Sequence, residues 1–320
     1  MRMDMVLDIL MIVGGVAVVL KGADWLTRGA VGLASRMGVS QMVIGLTVVA
    51  LGTSMPEFCV SFVSALKGTA DMAVGNVVGS NIFNAMLIVG VAAMVSPMSV
   101  MRQTVKKDLV FAVAASVIMG ALVFDRNISR ADAAVLASLF VVYMWITLKG
   151  AKHGATGIDA PGTPNADADA GALPMWKAWM WMTVGLACLI AGSNVFVDGA
   201  TSVALALNVP EAVVGLTIVA GGTSMPELAT SVVAARKGNS GIAIGNVIGS
   251  NVFNIFFVVG LTGVVCPMTV SGITYIDLAV MVGSMALLWL FAYTKLTIAR
   301  WEGAVITALF IVYMTWLLVK

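Results

Sequence analysis

Two glutamates carry the chemistry this sequence can do. Glu57 and Glu227 each close the same six residues, Gly-Thr-Ser-Met-Pro-Glu, at 52–57 and 222–227, inside long apolar runs. An ionisable group that deep in a span costs at least ~2.5–3.5 kcal/mol on insertion scales, so it faces a partner or a wet cavity. Pro56 and Pro226 lack an N–H, so the carbonyls of Gly52 and Gly222 are expected to lose their helical partner. In hydrocarbon such a carbonyl needs another partner: a cation is one, ordered water or a hydroxyl the other. Each copy thus offers main-chain oxygen, two hydroxyls (Thr53 and Ser54; Thr223 and Ser224) and one carboxylate.

The following run is repeated as well, VGNVVGSNIFN at 74–84 and IGNVIGSNVFN at 244–254. Ser80 and Asn84 are four apart and share a helix face, with Asn81 beside Ser80; Ser250, Asn251 and Asn254 match them. For this face, a cation site and hydrogen bonding between helices are both open. Asn76 and Asn246 follow glycines and can bond between helices, while Gly75, Gly79, Gly245 and Gly249 allow close packing. All these donors are hard oxygens. Calcium takes 6–8 of them in flexible geometry, and no Cys or His stands among them to favour zinc or copper. Two carboxylates balance one divalent cation, and the same oxygens can instead hold several sodium ions. Competition for one cage is the physical basis of exchange.

The elements that must position these residues are membrane helices. The chain is 60% hydrophobic and 11% charged, with mean hydropathy +1.01, against about one quarter charged in soluble domains. Ten runs are long enough to span: 5–20, 41–65, 72–96, 107–124, 131–148, 178–197, 212–234, 242–266, 275–293 and 301–319. The first and sixth can extend toward 37 and 207. The N-terminal run, with Asp4 and Asp8, reads as a retained span rather than a signal peptide. The Gly-, Pro- and Asp-rich stretch 150–174 reads as a linker between a first half, 1–149, and a second, 175–320.

The halves match without a gap at an offset of 170. Between 43–90 and 213–260, 28 of 48 positions are identical, which establishes an internal duplication. Five spans per half is odd, so the second copy crosses the membrane upside down, the inverted arrangement of many secondary transporters. The expected fold class is therefore all-α integral membrane, ten helices in two inverted five-helix repeats with broken helices at the ion site. With the N-terminus outside, 13 Lys and Arg fall on inner loops and 5 on outer ones. That excess favours both termini outside and the linker in the cytoplasm.

Several functions are excluded by what is missing. Basic residues stand singly, so there is no nucleic-acid face. His153 is the lone histidine and lies in the linker, so a Ser/His or zinc-dependent intramembrane enzyme has no residues to run on. Cys59, Cys188 and Cys266 lie apart in apolar runs. No P-loop or nucleotide domain supports a phosphate-driven pump. Asp24, Asp108, Asp132, Asp198, Asp277 and Glu302 fall near span ends and read as caps. A channel lined by glutamates is disfavoured by two inverted half-sites meeting at one cage. Proton/calcium exchange is the nearest rival, since protons compete for the same carboxylates.

The paired GTSMPE and GNVxGSNxFN blocks resemble the two α-repeats of the calcium/cation antiporter superfamily, in particular the prokaryotic sodium/calcium exchangers. The resemblance spans almost the whole chain. It implies an antiporter, not an enzyme, moving calcium and sodium ions across a lipid bilayer by alternating access, with no cofactor and no indicated protein partner. In a prokaryotic cell it implies the plasma membrane. It assigns ion binding to Thr53, Ser54, Glu57, Ser80 and Asn84, to Thr223, Ser224, Glu227, Ser250 and Asn254, and to the backbone of Ala50 and Ala220. It implies that gating slides the first and sixth spans over a rigid core. Asn254 stands where the potassium-dependent branch has Asp, which by resemblance argues against potassium co-transport.

Overall fold

Each glutamate motif breaks its helix at the serine. In the computed structural model, which describes residues 2–151, 173–207 and 220–319, Ser54 adopts φ −83°, ψ 4° and Ser224 φ −89°, ψ 5°. A new helix starts one residue later. Proline therefore sits in a first turn, where its missing N–H costs nothing. The expected bend is present, but as a break before the proline rather than a kink in a continuous helix; the two pieces, Gln41–Thr53 and Met55–Leu66, meet at 45°.

In chain order the first half comprises α1 (Arg2–Met37), α2 (Gln41–Ile44), a π-helical stretch Gly45–Val49, α3 (Ala50–Thr53), α4 (Met55–Leu66), α5 (Ala70–Ile82), a second π stretch Phe83–Ile88 and α6 (Val89–Val95). Then come β1 (Met98–Ser99), α7 (Arg102–Lys106), α8 (Asp108–Leu122), β2 (Asn127–Ile128) and α9 (Arg130–Ala151). The second half holds α10 (Met175–Ala206), α11 (Ala220–Thr223), α12 (Met225–Arg236), α13 (Ser240–Val252), a π stretch Phe253–Val259 and α14 (Gly260–Val265). It ends with β3 (Met268–Thr269), α15 (Tyr275–Lys295), β4 (Thr297–Ile298) and α16 (Arg300–Val319).

Among the described residues, seven helices are long and apolar enough to cross a membrane, eight if the bent pair counts as one. The chain is thus an all-helical membrane protein. One expected span is shorter than its apolar run. The run 107–124 forms a helix of only 15 residues, because the backbone turns out of helical geometry at Lys107 (φ −120°, ψ −67°). The run 212–234 begins outside the described residues, as does most of the linker 150–174. The first and sixth spans extend to Met37 and Ala206, as expected.

Three features hold the helices. The span Ser240–Val265 is 94% buried and forms the centre, whereas Met5–Met37 is 17% buried and lies at the edge. α1 and α10 pack antiparallel along glycines spaced by seven: a Cβ on Gly15 would stand 2.8 Å from the Gly192 carbonyl, one on Gly22 2.8 Å from that of Gly185. Two short antiparallel ribbons join the halves, β1 with β4 (Met98 opposite Ile298) and β2 with β3 (Ile128 opposite Met268). The offset of 170 converts one ribbon into the other.

The capping expectation holds for three acids. Asp132 accepts from the Ser129 N–H and hydroxyl, Asp277 forms a capping box with Thr274, and Glu302 accepts from the Ala299 N–H at 2.7 Å. Asp24 instead pairs with Arg28 at 3.2 Å and with Lys237 at 2.5 Å.

Candidate cation site

The helix breaks set the geometry. α3 and α11 end at the motif, where helix carbonyls lose their partners; α4 and α12 start there, with Glu57 and Glu227 in their first turns. A carboxylate at a helix N-terminus faces the positive end of the macrodipole. Both glutamates are fully buried, at 0% exposure.

The carboxylates are held crosswise. Ser54 donates to Glu227 Oε1 at 3.1 Å, and Ser224 donates to Glu57 Oε1 at 3.0 Å. Each half therefore binds the acid of the other. Ser224 also lies 3.2 Å from the Ser80 hydroxyl, which brings α5 into the same group. Asn84 donates to Asn251 Oδ1 at 3.0 Å, again across the halves. Thr53 lies within 3.1 Å of both the Val49 carbonyl and Asn246 Oδ1. The Ala50 carbonyl accepts from the Ser54 N–H at 3.0 Å and lies 3.4 Å from the Thr53 hydroxyl.

Several buried oxygens in this group have no hydrogen-bond partner among the described residues: Glu57 Oε2, Glu227 Oε2, Asn84 Oδ1, Asn254 Oδ1 and the Ser250 hydroxyl. Buried polar atoms are rarely left so. Buried unpartnered oxygens together with two carboxylates are a donor set suited to a hard cation. No three His, Cys, Asp or Glu side chains gather among the described residues, so neutral oxygens must supply most of any coordination.

Of the residues singled out in the sequence, Glu57, Ser80 and Ser224 form one bonded group, while Ser54 joins Glu227. Ala50, Asn84, Ser250 and Asn254 are buried in the same helices. Thr223 is partly buried at the end of α11, and Ala220 begins that helix. Asn76 and Asn246 bond between helices, the role expected for them. Sequence reasoning missed the π turns. Asn84 and Asn254 sit at their starts, where the wider winding re-aims side chains that a regular helix would align with Ser80 and Ser250.

The family model described as sodium/calcium exchanger protein matches residues 7–149 and again 177–319. The chain belongs to the sodium/calcium exchanger protein family. Among its relatives, the putative antiporter CaxA of Alkalimonas amylolytica is 36% identical over 79% of each chain. The sodium/calcium exchanger MaX1 of Methanosarcina acetivorans is 32% identical over 96% of this chain and 97% of its own length. The solved sodium-calcium exchanger NCX_Mj, soaked with zero Na+ and Ca2+, superposes with TM-score 0.84 at 30% identity, covering 98% of this chain and 99% of that one. This family member is accordingly a multi-pass integral membrane protein of a transporter family.

Proposed function

We propose that this chain is a secondary active antiporter that exchanges sodium for calcium by alternating access. The observation that carries the reading is the crosswise pairing of Ser54 with Glu227 and Ser224 with Glu57, with one oxygen of each buried carboxylate left unpartnered. Two carboxylates match the charge of one calcium. Sodium ions bind the same oxygens and displace it. The ligands are the side chains of Ser54, Glu57, Ser80, Asn84, Ser224, Glu227, Ser250 and Asn254, with backbone oxygen from Thr53, Thr223, Ala50 and Ala220.

The architecture in this reading is ten transmembrane helices in two inverted five-helix repeats, 1–149 and 175–320, with both termini outside and the 150–174 linker in the cytoplasm. Its support is the repeat offset, the family model matching twice and the paired ribbons. The glycine-packed pair α1 and α10 is the part that moves against the rest. The relatives named as sodium/calcium exchangers favour sodium as the driving ion.

The test is calcium-45 uptake into proteoliposomes loaded with sodium and diluted into sodium-free buffer, with a parallel set carrying only a pH gradient. Uptake that needs the sodium gradient and vanishes in Glu57→Gln is expected. Uptake driven by the pH gradient alone would move the assignment to proton/calcium exchange.

A further inference from the structure

The glutamate-bearing helices begin at breaks, so their first turns lack helical anchors behind them. Each is tied down instead by an asparagine of the next helix. Asn76 on α5 donates to the Glu57 main-chain carbonyl at 3.1 Å and to the Ser61 hydroxyl at 2.9 Å. Ser61 in turn donates to the Ala73 carbonyl at 3.0 Å, one turn back on the helix that carries Asn76. The bonds close a ring: glutamate carbonyl, asparagine amide, serine hydroxyl, alanine carbonyl.

The second half builds the same ring with the same spacing. Asn246 on α13 donates to the Glu227 carbonyl at 3.3 Å and to Ser231 at 3.0 Å, and Ser231 donates to the Ala243 carbonyl at 3.4 Å. Asn246 further accepts from the Thr53 hydroxyl of the first half at 3.1 Å. Ser61, Ser231 and Asn246 are buried. A primary amide has two N–H donors, and here both point at the glutamate helix. Aspartate offers neither, and leucine fills the volume without donating.

We propose that Asn76 and Asn246 are positioning residues of the cation site. Each fixes the rise and rotation of its glutamate helix against the next helix, so that the carboxylate stands opposite the serine of the other half. Neither amide touches the carboxylate oxygens that would face the ion; each acts through the main chain of the glutamate. The proposal rests on the reading of Glu57 and Glu227 as ion ligands. Small displacements matter at such a site: a shift near 1 Å can cost on the order of 100-fold where several groups must converge.

The test is equilibrium binding of calcium-45 to the purified full-length protein in detergent, without sodium. Asn76→Leu and Asn246→Leu are each expected to weaken binding by about 10-fold or more, a hydrogen-bond-sized loss compounded by misplacement. Ser61→Ala and Ser231→Ala remove one limb of the ring and are expected to weaken it by roughly 3-fold. Adding Ser61→Ala to Asn76→Leu is expected to change little further, because both act through one ring. A merely structural asparagine would lower the melting temperature and leave the dissociation constant in place; a monodisperse Asn76→Leu with wild-type affinity overturns the proposal. Multiplicative effects of Asn76→Leu and Ser61→Ala overturn it too. If the leucine variants aggregate, the serine variants decide, and wild-type affinity in both sinks it. Glu57→Gln is measured alongside. Wild-type affinity in that variant would overturn the ligand reading itself, whereas lost binding there with unmoved affinity in the asparagine and serine variants would overturn the positioning role alone.

Discussion

Ser224 and Glu57 lie 167 residues apart in the chain and share a hydrogen bond of 3.0 Å in the buried centre of the protein. Its counterpart, Ser54 to Glu227, spans 173 residues at 3.1 Å. The two carboxylates are thus held by the half that does not supply them, which makes the site a joint product of both repeats.

This coupling can be measured. Ser224→Ala is expected to weaken calcium binding by roughly 10-fold, the size of a hydrogen bond to a charged group. Because Glu57→Gln is expected to lose calcium, the coupling is read from thermal unfolding without calcium: Ser224→Ala should destabilise the wild type more than it destabilises Glu57→Gln, since its partner has lost its charge. Ser54→Ala should show the matching interaction with Glu227→Gln. Full additivity in these double-mutant cycles would contradict the crosswise arrangement.

The contact between α1 and α10 should tolerate no bulk. A Cβ on Gly185 would stand 2.5 Å from the Leu26 backbone nitrogen and 2.7 Å from the Gly22 carbonyl. Gly185→Val is expected to destabilise the protein by about 1–3 kcal/mol, the usual cost of overpacking. Gly14→Val is the control, because a Cβ there meets nothing within 4 Å. Thermal unfolding in detergent should separate the two, with only Gly185→Val melting early.

Asp71 fastens α5 to the loop after β3. Its Oδ1 accepts from the Ser271 and Gly272 N–H groups, each at 2.7 Å, and its Oδ2 accepts from the Ser271 hydroxyl at 2.9 Å. Because the group is exposed, Asp71→Ala is expected to lower stability by only about 1 kcal/mol. Hydrogen exchange should rise at the Ser271 and Gly272 amides while calcium affinity stays in place. Unchanged protection at those amides would show the clasp to be absent in solution.

Asn254 is a buried neutral amide where an acid would add a third carboxylate to the count. Calcium flux is therefore expected to be the same with and without potassium on either side of the vesicle. A potassium requirement, read from calcium-45 flux at fixed sodium, would contradict the two-carboxylate charge count.

Much of the site was legible in the sequence because duplication repeats it verbatim. Glu57 and Glu227 stood out as acids inside apolar runs, and the serines, threonines and asparagines stood out as their repeated neighbours. The offset of 170 also foreshadowed the paired ribbons without revealing strands, since two-residue strands leave no periodicity to read. Three things escaped. Proline marked a bend, but the break at Ser54 depends on backbone angles that the six letters do not specify. The π turns at Phe83 and Phe253 carry no composition signal. The crosswise bonds are contacts between halves, and a pattern within one half cannot state which serine meets which acid. The helix of the run 107–124 was legible, and only its ends differ, since it covers Asp108–Leu122.

The central claim is that Glu57 and Glu227 together hold one calcium that sodium displaces. Equilibrium calcium-45 binding to the purified protein, titrated with sodium chloride against choline chloride, tests it most directly. The expected result is one calcium per chain, released by sodium with a Hill coefficient above one, and lost in both Glu57→Gln and Glu227→Gln. Calcium binding that persists in either variant, or that sodium and choline weaken equally, would contradict it.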